Sequence, residues 1–166
     1  MSFTIVADDA AWDAALERVL TAAFGPGRFA KVSERVREMS PLDRALSRVA
    51  LEGGAPIGCC RIHRIALGAA PMLFLGPLAV APHAQGERLG GVLVAASLEA
   101  CEATDAKGVL VVGQPRMFAP FGFVEVPTGR VILPGPVEAR RLQWRGLGGA
   151  SLDELSGAVS APRAAN

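Results

Sequence analysis

Few side chains among the 166 residues are suited to making or breaking bonds: there is no tyrosine, and there are only two histidines and three cysteines. Cys59, Cys60 and His63 lie close together and raise the question of a metal or a nucleophile. Structural zinc takes four ligands, with two or more residues between paired cysteines, and no fourth ligand is near in sequence. Adjacent residues of a strand also point to opposite faces. These two cysteines and Cys101 therefore read as small buried hydrophobes, and no metal is expected. His63 alternates with Arg61 and Ile65 on an extended run. It is a candidate general base, against the plainer role of a strand histidine satisfied by its neighbours. His83 follows Pro82 at the mouth of a loop, where exposure or a ligand contact fits better than catalysis, and Glu52 reads as a charge at a hairpin end.

A different chemistry is suggested by Gln85-Gly86-Glu87-Arg88-Leu89-Gly90-Gly91. This segment follows the apolar run Met72 to Val80 and precedes a stripe of Leu93, Val94, Ser97, Leu98 and Cys101 at helical spacing. A loop in that position turns the free N–H groups of the helix's first turn, and the positive end of its dipole, outward. Phosphate binds at such ends. The glycines let backbone approach an anion, and the Arg88 guanidinium can fork onto phosphate oxygens. From these residues alone a mere tight connection stays open. No Lys-Ser or Lys-Thr follows Gly90 and GxGxxG is absent, so the loop is neither a P-loop nor a dinucleotide fingerprint.

The elements that would carry this loop alternate between strand and helix. Ser2 to Ala7 reads as a strand, and Asp8 or Asp9 as the cap of a helix with Trp12, Leu16, Val19, Leu20 and Ala23 on one face. A second helix carries Phe29, Val32, Val36 and Met39 inward and Glu34, Arg35, Arg37 and Glu38 outward, and stops at Ser40-Pro41. Leu46 to Glu52 and Ala55 to Leu67 read as a hairpin about Gly53-Gly54. Met72 to Val80 is a central strand buried on both faces. Further strands are expected at Val109 to Val112, Phe123 to Val126 and Leu142 to Trp144, with a short helix or turn at Pro115 to Ala119. Ser151 and Glu154 suggest a capping box opening a short C-terminal helix, followed by a disordered tail from Ala161 to Asn166.

Composition narrows the function classes. Hydrophobic residues make up 51% and charged residues 20%, enough for one globular α/β domain over 1–148, with the short helix and tail over 149–166. The net charge of +1 argues against nucleic acid and anionic membranes as partners. Arg140, Arg141, Trp144 and Arg145 read as a solvated face. The longest uncharged stretch, Leu67 to Ala81, is broken by glycine and proline and falls short of the roughly 20 residues that span a bilayer. Asp8 and Asp9 interrupt any export signal, and three unpaired cysteines fit a reducing compartment, so a cytoplasmic location is expected.

The stretch Leu75-Gly76-Pro77-Leu78-Ala79-Val80-Ala81-Pro82, the loop Gln85 to Gly90, and Phe121-Gly122-Phe123 about 30 residues on resemble the GNAT superfamily of acyl-CoA-dependent N-acetyltransferases. The order of elements to about residue 145 agrees with that resemblance. It implies a mixed, mostly antiparallel sheet of six to seven strands flanked by helices and splayed between 72–80 and 108–113. It also implies acetyl-CoA as co-substrate, with Leu78, Ala79 and Val80 pairing by backbone with its pantetheine arm. Gln85, Gly86, Glu87, Arg88, Leu89, Gly90 and Gly91 would wrap the pyrophosphate. The acceptor would be a small-molecule or protein amine attacking the thioester directly, with an oxyanion held by backbone N–H of the central strand. Assembly into dimers stays open.

Two positions depart from the family pattern. Arg88 stands where the family has glycine; a helical φ there is the expectation, since a positive φ would distort the loop. Phe118 stands beside the expected thioester, where many members carry a tyrosine that protonates the departing thiolate. A phenyl ring donates no proton, and general acid catalysis is worth about 10²–10⁴-fold. The resemblance therefore implies an N-acetyltransferase, with a catalytically weak acyl-CoA-binding sensor or partner module as the alternative.

Overall fold

A computed structural model of the chain describes residues 2–86 and 88–163. The N-terminal strand β1 (Thr4–Ala7) leads into a short turn that Asp9 caps, its carboxylate accepting from the Ala11 N–H at 2.8 Å. Helix α1 (Asp13–Phe24) follows, burying Leu16, Val19 and Leu20 as its spacing predicts. Helix α2 (Val32–Glu38) buries Val36. Phe29, expected on the same stripe, lies instead in the 3₁₀ turn before it, 51% exposed, with the Arg28 guanidinium 4.2 Å from its ring.

Strands β2 (Arg48–Glu52) and β3 (Ala55–Leu67) form the expected hairpin. Gly53 and Gly54 take φ of +58° and +82°, the two consecutive positive values a tight hairpin turn requires. Strand β4 (Ala70–Val80) returns antiparallel to β3. Helix α3 (Leu89–Cys101) crosses over to β5 (Gly108–Val112), which runs parallel to β4. A single turn of helix, α4 (Pro115–Phe118), precedes β6 (Val124–Glu125), β7 (Val131–Ile132), β8 (Leu142–Gly146) and β9 (Gly157–Ser160).

The main path of the sheet is β1-β2-β3-β4-β5-β8-β6, antiparallel throughout except between β4 and β5. This is the mixed, mostly antiparallel α/β architecture that the resemblance implies. The β4–β5 ladder pairs Leu73 with Val109, Phe74 with Leu110 and Leu75 with Val111, and there it stops. Pro77 has no N–H to offer a neighbour, and β4 continues to Val80 paired with β3 alone. The sheet is therefore splayed between β4 and β5.

A buried ion network fixes α1 against the sheet. The Asp8 carboxylate, with no exposure, accepts from Arg61 at 2.8 Å and Arg44 at 3.2 Å, and Asp13 accepts from Arg61 at 2.6 Å and Arg44 at 2.8 Å. Arg44 and Arg61 hold the Asp13 carboxyl below the usual range. On the opposite face Gly58 lies under α3: a Cβ there would stand 3.2 Å from Leu93 Cδ1.

The C-terminal segment departs from expectation. No helix opens at Ser151; its hydroxyl accepts from the Asp153 N–H at 3.2 Å in a local turn, and Arg130 donates to the Asp153 and Leu155 carbonyls. Those carbonyls are thus held by a distant side chain rather than by a helix. Gly157, at φ +134°, then starts β9, which pairs with the end of β3 and with β7. The tail expected over 161–166 lies outside the described residues from 164 onward. Trp144 is also core, 4% exposed, and Arg145 pairs with Glu102 at 2.9 Å, so residues 140–145 form no single solvated face. Among the described residues no helix is long and apolar enough to cross a membrane.

Candidate active site

The gap between β4 and β5 opens into a cavity of about 610 Å³. One wall is formed by residues 75–80 of β4 and 111–114 at the end of β5 and just beyond it. Gln85 and Gly90 line its far end, Met117 and Phe118 its floor, and residues of α1, α2, the turn between them and the segment 136–141 the rest. Leu78, Ala79 and Val80 line the cavity, where β4 has no pairing with β5. The Val80 carbonyl accepts from the Gln85 side chain at 3.0 Å, which ties the end of the strand to the loop.

Among the described residues no side chain caps the start of α3. The first N–H groups of a helix have no partner within it, so this end is open to an anion. Gly90 sits in that first turn, where a Cβ would stand 3.2 Å from Met117 Cε. Of the other loop residues, Gly86 is exposed, Leu89 is turned into the core, Gly91 packs beside Phe121, and Glu87 lies outside the described residues. Arg88 contradicts the expectation of a helical φ: at +62° it occupies the left-handed region and is the N-cap of α3. The chain keeps at this position the backbone conformation that glycine adopts freely and carries a side chain there nonetheless.

Phe118 is 5% exposed and packs edge to face with Phe123, ring centroids 5.6 Å apart. Its ring fills the space a side chain would need at Gly113. It lines the cavity beside the end of β5 but brings no hydroxyl. His63 does not line the cavity. It is 7% exposed, bridges to Leu42 and pairs with Phe74 across the sheet. Burial above all, and then the charge of Arg37, pull its pKa down to about 4, so the ring is neutral at pH 7, with Nδ1 buried and unpartnered. His83 is exposed, 3.3 Å from Glu52. The three thiols are buried, and burial pushes each up to about 12, which leaves them unreactive at neutral pH.

The charged side chains that do line the cavity are Arg28, Lys31, Arg37, Arg141 and Glu138. Arg37 and Glu34, expected to face outward, form an ion pair with each side chain only 14% exposed, and burial lowers the Arg37 pKa. Helical periodicity assigned both to the solvent face, but β4 covers Arg37 there: a Cβ at Gly76 would stand 3.1 Å from Arg37 Nη1. A Cβ at Gly135 would stand 3.3 Å from Val32 Cγ2. No local pattern signals such a long-range cover.

The sequence profile of the acetyltransferase (GNAT) family matches residues 13–123. No curated protein matches the chain significantly. Among solved structures, the GNAT family N-acetyltransferase YhbS from Escherichia coli, in complex with CoA, superposes with a TM-score of 0.79 at 20% identity. That match covers 97% of this chain and 89% of the other. A GNAT family acetyltransferase from Brucella melitensis, in complex with acetyl-CoA, gives 0.69 at 23% identity over 96% and 95%. The ribosomal-protein-S18-alanine N-acetyltransferase from Escherichia coli gives 0.62 at 16% over 92% and 98%.

Proposed function

The chain belongs to the acetyltransferase (GNAT) family, and on that premise we propose that it transfers an acetyl group from acetyl-CoA to a primary amine. The observation that carries the reading is a single cavity joining the uncapped N-terminus of α3 to the splayed edge of β4. Backbone of Leu78 to Val80 would hold the pantetheine arm as an added strand, and the N–H groups at Gly90 and Gly91 the pyrophosphate. Bound there, acetyl-CoA supplies an activated acyl group and a thiol leaving group. Unpaired β4 N–H groups in the gap would stabilise negative charge developing on the acyl oxygen. Among the described residues Glu138 is the carboxylate of the cavity wall, and it would take the proton that an acceptor ammonium must lose before it attacks. Phe118 supplies no acid, so the leaving thiolate, with a pKa near 8.5, would depart as such or take a proton from water.

Isothermal titration with acetyl-CoA and with desulfo-CoA tests this reading, repeated on Gly90→Glu, whose carboxylate would meet the pyrophosphate. Micromolar binding lost in the variant, followed by CoA release with an amine panel, is the expected result. No binding of either ligand would refute it. The missing hydroxyl at Phe118 favours a second reading, an acyl-CoA-binding sensor or partner module, whose signature is stoichiometric binding without turnover across the panel.

A further inference from the structure

The lining contributed by residues 28–37 and 136–141 is cationic beyond what ion pairing cancels. Arg28 pairs with Glu17 at 2.6 Å, Arg37 with Glu34, and Glu138 with Arg140 at 2.6 Å. Lys31 and Arg141 pair with no carboxylate among the described residues. Arg28 is buried, its side chain 7% exposed, yet its Nε has no hydrogen-bond partner, and neither has the buried Nε of Arg141. Burying a guanidinium N–H without an acceptor is unfavourable, and two of them on one cavity wall favour an anion that supplies the missing acceptors.

Arg37, with Arg28 close enough for its charge to be felt, is not at the phosphate end of the cavity. A Cβ at Gly76 would stand 3.1 Å from Arg37 Nη1, which places Arg37 where the sheet splays. Gln85 and the start of α3 join β4 at Val80, four residues or about 13 Å further along the strand. Gly135 lies against Val32 beside these cations, and the cavity of about 610 Å³ has the size of a small-molecule site.

We infer that the acceptor is a small amine carrying an anionic group, a carboxylate or a phosphate, which sits on Arg28, Lys31, Arg37 and Arg141 while its amine faces Glu138. The inference rests on the transferase reading and narrows it to a substrate class. The anion lowers the cost of the buried guanidinium groups, and Glu138, on the same segment as Arg141, receives the amine and so orients its nitrogen.

Two measurements test it. CoA-loaded protein, in which the phosphate end is already filled, is titrated calorimetrically with malonate and with inorganic phosphate, and so is Lys31→Met/Arg141→Met, which disturbs no ion pair. Binding of one anion, weakened about tenfold or more in a variant that melts normally, is expected, and the preferred anion identifies the charged group. No binding of either anion, or equal binding by the variant, overturns the inference. In the second arm, CoA release is followed with glycine against glycinamide and O-phosphoethanolamine against ethanolamine. The anionic member of one pair should lead about tenfold in kcat/KM, mainly through KM. Preference for the neutral members, or turnover with peptide N-termini alone, would also overturn it. If acetyl-CoA itself fails to bind, the transferase reading falls, and the same anion titrations on free protein decide the cation cluster separately.

Discussion

Arg88, held at a left-handed φ, and Phe118, a cavity-lining ring without a hydroxyl, each have a measurable consequence. A left-handed φ costs a non-glycine residue about 1–2 kcal/mol, of which glycine's greater unfolded-state freedom returns part. Arg88→Gly should therefore stabilise the protein by up to about 1 kcal/mol, seen as a rise of a few degrees in thermal melting. An unchanged or lower Tm would mean that the arginine side chain makes good the strain. At Phe118 the expected gain is in rate. Phe118→Tyr places a hydroxyl on a ring that lines the cavity, and kcat should rise about tenfold or more with little change in KM. An unaltered kcat would show that protonation of the thiolate does not limit turnover.

Among the elements, the junction of β5 with α4 decides the shape of the cavity floor. A Cβ at Gly113 would stand 2.4 Å from Phe118 Cε2, closer than side chains approach. Gly113→Ala must therefore push the ring toward the cavity or off Phe123, at a cost of about 1–3 kcal/mol in urea unfolding. Acetyl-CoA binding should weaken with it; a variant as stable as the parent would show that α4 yields easily. The apolar run at the centre of the chain, the Gly-Gly hairpin and the stripe of α3 were all legible in the sequence, because each is specified by residues adjacent along the chain. The strands β7 and β9 were not: β7 has two residues, and β9 lies in a Ser-Gly-Ala segment with no periodic signal.

For the molecule as a whole, acid sensitivity follows from His63. Its pKa is about 4 in the folded chain and near 6.5 when unfolded, so the unfolded state binds the extra proton between those values. Stability is then complete above about pH 6.5 and falls as pH drops toward 4, by up to about 3 kcal/mol from this group. Asp13, whose pKa is lowered by Arg44 and Arg61, acts in a lower window: its contribution is present above about pH 4 and is lost on further acidification. Melting temperatures of the parent and His63→Leu between pH 7 and 4.5 separate the two. The parent should lose on the order of 5–10 °C, and the variant should lose most of that slope. Parallel curves would place the proton uptake elsewhere.

The sequence by itself determined the order of elements, the central strand, the glycine loop before α3 and the absence of tyrosine, since composition and short-range periodicity encode them directly. Only the tertiary structure decided which side chains meet across the cavity. Arg28, Arg37, Glu138 and Arg141 come from segments separated by about 100 residues, and nothing local marks them as neighbours. His63 shows the converse: its residue type suggested catalysis, while the packing of β3 between β4 and Leu42 buries it, neutral, behind the cavity-lining Gly76 and Arg37. Residue type fixes what a side chain can do, and burial and long-range pairing fix whether a substrate can reach it.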